Sequence, residues 1–333
     1  MTVEVPAGDW DGLLAELGVA DAYLLRAYVE ASALLEPGEP RFLRAGDVVF
    51  AAVERPIRGA GGATDLTTPY GYGGPAGPGD GEAFYAAYDA WCRERGAVTT
   101  FLRFHPLLEN HRLAPRRLDL VRVADTATWP LPADADLLAG MHSMHRRGAR
   151  KALRAGVTAT ITAAPEELDD FVALYEAGMR RRDAHAFYFF REPYWETLRG
   201  LGERLLRLDA RSAEGELLAS MLCLATPPWL HYHLGAATEE GFALGASKLL
   251  FLEAARHGQE NGYAELHLGS GLGGREDALW EFKQRFSPAP GRPFWIGRLV
   301  HDDGRYRELA GEAAGTDGFF PAYRAPAAAE ARG

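Results

Sequence analysis

Apolar positions along this chain follow two spacings, and the places where one gives way to the other mark its elements. Over residues 10–35, Leu13, Leu14, Leu17, Tyr23, Leu24 and Tyr28 recur at helical intervals with an interruption at Gly18, which predicts one or two short helices. Residues 47–53 are a short run with β-branched members that ends at Arg55-Pro56, as a buried strand would. The glycine and proline density through residue 81 predicts an extended loop over 64–81. Phe84, Tyr85, Tyr88, Trp91 and Cys92 then put aromatic bulk on one face of a helix over 82–95, which Gly96 stops before a strand at 98–104.

After Pro115 the pattern predicts a strand at 118–123, a proline-broken linker at 128–132 and a helix over 135–155 closed by Gly156. The domain boundary is therefore expected in that linker, with a first domain over 1–133, a second over 134–324 and an Ala-rich disordered tail over 325–333. The second half repeats the alternation with a strand at 157–161, helices at 166–182 and 193–201, and a strand at 205–210. Two uncharged runs, 217–225 and 229–236, flank Thr226-Pro227-Pro228 and predict a hairpin of two buried strands. A helix over 247–261, a strand at 265–268 and the glycine-rich stretch 269–274 follow. Two successive units of helix, strand, strand, helix and strand predict a mixed α/β (α+β) fold.

Composition narrows the function. The chain has 333 residues, enough for two modest domains, and 36 basic against 46 acidic residues give a net charge of −10. That sum argues against attachment to DNA or to an anionic membrane by bulk charge, and leaves room for a local basic patch. No stretch approaches the ~20 apolar residues of a membrane span, so none is expected. The first 18 residues hold four acids and no Lys or Arg, unlike a signal peptide, and a cytoplasmic protein is expected. Cys92 and Cys223 lie far apart in apolar runs and suggest buried thiols rather than a disulfide framework or a metal site. Among the basic residues only Lys151, Lys248 and Lys283 are not Arg. Where nearly every cation is a guanidinium, a remaining Lys can mark a place that needs a compact, titratable ammonium, with chance as the plain alternative.

Several stretches carry candidate chemistry. Arg146, Arg147, Arg150, Lys151 and Arg154 put five cations within nine residues, either a solvated helix face or a phosphate-contacting patch in which Arg146, Arg150 and Arg154 share a face. Residues 103–154 hold ten basic against five acidic side chains. Gly241 to Ser247 stands where an acetyltransferase fold places its pyrophosphate loop, yet Phe242 occupies the position of the expected Gln or Arg, and a plain turn capped by Ser247 competes with that reading. The 269–274 stretch opens no clear helix and is expected to be a flexible loop beside a site. Lys283 lies among Trp280, Phe282 and Phe286, large side chains able to desolvate it. His231 and His233 share a face of one strand, without a third residue at metal-ligand spacing.

Four segments together resemble the Fem family of aminoacyltransferases. They are Asp65 to Pro75; Arg146 to Ala152 with Gly156-Val157; Met179 to Ala184 with Phe187 to Phe190; and Tyr232 to Ala236 with Gly245-Ala246-Ser247 and Phe282-Lys283. The resemblance spans roughly residues 40–290. Gly148 departs from the polar residue usual there, and the long helical arm of some members is missing.

The resemblance implies two tandem GNAT-like domains, each a mixed central sheet flanked by helices. It also implies amide formation, with an acceptor amine attacking the ester of an aminoacyl-tRNA. Lys283 would then steady the developing oxyanion, held by Phe282. Arg181, Arg150 and Lys151 would bind substrate anions, and Tyr188, Tyr232, Tyr70 and Tyr72 would line the site. Asp65, Asp183, His231 and Glu281 are each open as general base, and substrate assistance would need none of them. No tightly bound cofactor and no metal is expected. The expected partners are the acceptor end of aminoacyl-tRNA and a small-molecule or peptide amine, such as a cell-wall precursor or a peptide natural-product intermediate, with no DNA and no membrane span. Two alternatives stay open: an acyl-CoA-dependent N-acyltransferase acting on a small amine, and a non-catalytic GNAT-like binding module in which Lys283 is structural.

Overall fold

The computed structural model describes residues 1–19, 21–313 and 318–325. It contains the strands β1 (Val3–Glu4), β2 (Glu39–Ala45), β3 (Val48–Pro56), β4 (Thr64–Thr67), β5 (Ala97–Arg103), β6 (Asp119–Pro130), β7 (Thr158–Ala163), β8 (Leu205–Arg211), β9 (Leu217–Thr226), β10 (Trp229–Ala237), β11 (Glu265–Gly269) and β12 (Arg292–Val300). The chain divides into two compact units. Met1–Val123, Arg191–Thr197 and the chain from Phe294 onward form the first, and Ala124–Phe190 with Leu198–Pro293 form the second.

In the first unit the strand order is β1-β2-β3-β4-β5-β12, antiparallel except for the parallel pair β4 and β5. The helices Arg26–Ala33 and Gly81–Glu94 bury Tyr28, Val29, Phe84, Tyr85, Tyr88 and Cys92. In the second unit the order is β6-β11-β10-β9-β8-β7, again antiparallel except for one parallel pair, β10 and β11. The helices Ser143–Arg154, Asp169–Arg181, Ala246–Glu260 and Ala278–Gln284 belong to this unit. Each unit is thus a mixed sheet with helices, the α/β class the periodicity predicts.

The domain division departs from the expected 133/134 boundary. Residues 128–130, read from sequence as part of a linker, continue β6 and pair with β11, Trp129 opposite Leu266 and Thr128 opposite His267. Pro130 ends this strand rather than breaking a connector, because the preceding residues Thr126 to Trp129 are buried. The chain from Phe294 onward, expected in the second domain, belongs to the first, since β12 pairs with β5 from Ile296↔Arg103 to Val300↔Thr99. Residues 64–67, expected within the loop, form β4 instead. The rest of that loop is fastened by paired backbone bonds between Val49 and Ala76 and by Asn110 Nδ2, which donates to the carbonyls of Gly73 and Pro75. Gly77 is required there, because a Cβ would stand 2.0 Å from the carbonyl oxygen of Asp47. The single helix expected over 135–155 is two, Leu137–Gly140 and Ser143–Arg154, separated by extended backbone at Met141 and His142. Of the tail expected at 325–333, everything past Ala325 lies outside the described residues.

The second unit's core shows how its helices are locked. Phe251, Phe282 and Phe286 pack with His145, whose ring centre lies 4.8 Å from Phe282 and 4.5 Å from Phe286. Burying one such aromatic side chain contributes roughly 1.5–3 kcal/mol. His145 is buried, and its Nε2–H donates to the Phe282 carbonyl at 2.8 Å. Burial lowers its pKa to about 4 against the opposing effect of that carbonyl. Nearby, the helices Ser143–Arg154 and Ala246–Glu260 meet at two glycines. Gly245 adopts φ 88°, and a Cβ there would lie 2.6 Å from the Gly148 carbonyl oxygen, whereas a Cβ on Gly148 would meet Lys248 Cδ at 2.4 Å.

Two predictions follow from this packing. Gly245→Ala meets the Gly148 backbone at a positive φ and is expected to lower stability by about 2–4 kcal/mol, whereas Gly148→Ala displaces one flexible side chain and is expected to cost less, as chemical denaturation will measure. Because the folded pKa of His145 lies below the unfolded value near 6.5, the unfolded chain binds the extra proton. Stability contributed by neutral His145 is therefore complete above about 6.5 and falls as the pH drops towards 4. His145→Gln is expected to show a shallower loss of Tm across that window than the wild type.

Candidate functional site

β10 and β11 pair over only three positions, from Trp229↔Glu265 to His231↔His267. Beyond them β10 follows β9 to Ala237, with a register shift between Tyr232 and Leu234, while β11 follows β6 to Gly269 with a shift of its own after His267. The two strands therefore fork. His231 and His267 close the apex, buried, with their Nδ1 atoms 3.2 Å apart. Strand edges that leave their ladder present N–H and C=O groups able to bind an extended substrate.

Lys283 ties the two arms of the fork together. Tyr232 is the first residue of β10 past the ladder, and Ser270 is the first residue past β11. The Lys283 ammonium donates to the Ser270 carbonyl at 2.6 Å and stands 5.3 Å from the centre of the Tyr232 ring. Lys283 is only 6% exposed, and burial lowers its pKa to about 8 while the Asp277 carboxylate acts in the opposite direction. An ammonium has three donors, of which Ser270 takes one.

The helix Ala278–Gln284 delivers this side chain, and Asp277 fixes where the helix begins. One Asp277 oxygen accepts from the Leu279 and Trp280 amides, both at 3.0 Å, and the other accepts from Leu272 N at 2.9 Å. Burial pulls the Asp277 pKa up, but these backbone donors outweigh it and hold the carboxyl below its ordinary range. The 269–274 stretch, expected to be a flexible loop, is therefore bound at Leu272 by Asp277 and at Ser270 by Lys283. Phe282 packs towards Phe251, Phe286 and His145, so it anchors the helix from the core side.

The other sequence candidates separate by position. Tyr232 stands with Lys283 and rests on Phe251, ring centres 4.8 Å apart, with its hydroxyl pKa raised by burial. Arg181 ends its helix by donating to the Ala237 carbonyl at 2.6 Å, which places it at the open end of β10. Lys151 donates to the Ala243 carbonyl at 2.8 Å and so closes the short helix Glu239–Leu244, while Arg150 is exposed. Tyr188 packs edge-on against Phe187 at 5.5 Å. Tyr70 and Tyr72 belong to the first unit. The Tyr28 hydroxyl donates to the Tyr70 carbonyl at 2.8 Å, and Tyr72 is buried against Tyr23, His105 and Phe294.

Two further candidate bases are paired with arginines. Asp65 is fully buried in the first unit between Arg55 and Arg324, and Glu281 pairs with Arg285 at 3.2 Å. Asp183 is exposed just after a helix end, with φ 47°. The expected face of Arg146, Arg150 and Arg154 loses a member, because Arg146 turns back to the carbonyls of Ala139 and Met141. Ser247 does not cap its helix. Gly245 occupies the cap position without a side chain, and Thr238 caps the preceding short helix through Gly241 N at 2.9 Å.

Three contributors escape sequence reasoning: Ser270, Asp277 and His145. Ser270 acts through its backbone carbonyl, which leaves no side-chain signal. Asp277 carries the ordinary signature of a helix start, an acid two residues before Leu279, and His145 stands out only as a buried ring within an Arg-rich run.

Comparison with known proteins agrees with this architecture. Residues 140–284 match the family model described as an acetyltransferase (GNAT) domain. None of the curated proteins matches the chain. Among solved structures, FemX is similar at 12% identity and TM-score 0.69, covering 93% of this chain and 99% of its own. The C-terminal domain of a putative lysylphosphatidylglycerol synthetase from Agrobacterium fabrum is similar at 15% identity and TM-score 0.59, covering 89% and 93%. A tandem GNAT protein from the clavulanic acid biosynthesis pathway matches at 14% identity and TM-score 0.52, covering 91% and 98%. The chain thus has a Fem-like fold of the GNAT acyltransferase type, with the GNAT domain itself at residues 140–284.

Proposed function

We propose that this protein forms amide bonds by acyl transfer, taking an aminoacyl group from the ester at the end of a tRNA and passing it to the amine of a small molecule or peptide. The observation that carries this reading is the buried Lys283 ammonium, fixed at the fork between β10 and β11. In the reaction the acceptor nitrogen bonds to the ester carbonyl carbon and the carbonyl oxygen takes up negative charge. The amine then loses a proton, the C–O bond to the tRNA hydroxyl breaks, and that oxygen leaves with a proton. A preorganised ammonium with one acceptor among the described residues, and so two donors to spare, meets the oxyanion, and its desolvated setting strengthens the attraction relative to water.

The donor assignment draws on charge. Residues 137–153 carry Arg146, Arg147, Arg150 and Lys151 and no Asp or Glu, and Arg150 is exposed within that stretch. Such a surface suits the phosphates of a tRNA acceptor end despite the chain's net −10. Arg181, at the open end of β10, suits a substrate anion. A cell-wall precursor or a peptide natural-product intermediate fits as the amine.

A second reading, acyl-CoA as donor to a small amine, is favoured by the matched model's description as an acetyltransferase. Against it stand Phe242 where a loop Gln or Arg would be, and the backbone of Gly148 packed on Gly245 at the start of the long helix.

Purified protein assayed with charged tRNA, and separately with acetyl-CoA, against a panel of amines separates the two donors. Transfer from acetyl-CoA alone would overturn the tRNA assignment. Lys283→Met is expected to lower kcat by about 10²–10³-fold while the circular dichroism of the wild type is kept. Unchanged turnover would make Lys283 structural, and a wild type without turnover on either donor would leave a binding module. Since the ammonium is the active form, kcat/KM is expected to fall as the pH rises through about 8.

A further inference from the structure

We propose that two copies of this chain pair edge to edge through β7, antiparallel about Thr160. β7 is the outermost strand of the second unit's sheet, and its ladder with β8, from Thr158↔Arg211 to Ala163↔Leu206, occupies one side only. Proteins usually blunt such an edge with Lys, Pro, an inward charge or a bulge. Thr158-Ala159-Thr160-Ile161-Thr162-Ala163 has no charge and no proline, and its ladder with β8 has no register shift. Four of the six residues are exposed, Thr158, Thr160, Thr162 and Ala163.

The sequence of the strand is complementary to itself. Residues opposed across an antiparallel pair share a face, so a twofold axis falls on a residue rather than between two. Centred on Thr160, the pairing opposes Thr160 to its own copy, Thr158 to Thr162 and Ala159 to Ile161. Threonines so opposed can hydrogen-bond across the strands.

Charge selects a second copy as the occupant. The last charge before β7 is Arg154, whereas the stretch leaving the strand holds Glu166, Glu167, Asp169 and Asp170. A twofold at Thr160 sets the end of each strand that Arg154 precedes beside the end of the other that Glu166 and Glu167 follow. Arg154, Glu166 and Glu167 are exposed, and among the described residues none of the three has an ion-pair partner. A nucleic acid would neutralise the basic end and leave both the uncharged edge and the acidic end without a role.

A single strand pair is a small interface, so an association in the micromolar range is expected. Sedimentation equilibrium of the full chain from micromolar to submillimolar concentration is expected to approach twice the 36.3 kDa chain mass, more weakly at high salt. Thr160→Lys sets two ammonium groups opposite each other and is expected to weaken the dimer by about tenfold or more. Arg154→Glu or Glu166→Arg alone is expected to weaken it, and the two together to restore it, with circular dichroism reporting that each variant is folded. A wild type that remains monomeric throughout overturns the proposal, as does a dimer indifferent to Thr160→Lys. A paired swap that fails to restore association overturns the charge register. If Arg154→Glu abolishes binding of a short RNA while the mass stays monomeric, the segment serves nucleic acid instead.

Discussion

The second unit is organised around one charge that has been taken out of water. An ammonium buried without partners costs several kcal/mol, and the usual escape is loss of its proton. Lys283 lies between these limits. Burial lowers its pKa to about 8 against the opposing charge of Asp277, while the Ser270 carbonyl and the Tyr232 ring stand beside the ammonium. A group so placed is held firmly enough to define a position, yet remains close enough to neutral pH for its environment to decide its charge.

That position follows from two local decisions of the chain. β10 and β11 stop pairing after three residues, which opens the fork, and Asp277 begins a helix whose one face reaches the fork while the other reaches the core through Phe282. The core side is locked in turn by His145, which joins the helix Ser143–Arg154 to the Phe282 carbonyl. The remaining two lysines gather where that same helix crosses the start of Ala246–Glu260. Lys248 covers Gly148, with its pKa lowered by burial and by Lys151, and Lys151 closes the turn before Gly245. All three departures from arginine therefore fall in one unit, at places where a slim chain with a compact head is packed against backbone.

Much of this was legible in the sequence because periodicity and burial are local properties. The hairpin of β9 and β10, the long helix before β11 and the anchoring of Phe286 follow from runs of apolar residues, and the scarcity of lysine singles out Lys283. What the sequence concealed depends on partners far along the chain. β12 has no meaning without β5, some 190 residues earlier, and the proline that suggested a linker at 128–132 terminates a strand whose partner β11 comes 135 residues later. Ser270 contributes a carbonyl that any residue would supply. Tyr72, chosen as a lining residue, is instead packed among aromatic rings of the first unit, since a tyrosine in a glycine-rich loop reads alike whether it faces solvent or core.

The composition supplies an unusually direct measurement of the central claim. With three lysines in the whole chain, protein labelled with ¹³C and ¹⁵N at lysine yields three side-chain signals, assignable through single Lys→Arg variants. The account predicts that the Lys283 signal titrates near 8 and shifts when an aminoacyl ester is added. A Lys283 signal that titrates near 10.4, as a lysine in open water does, and ignores the ester would contradict it.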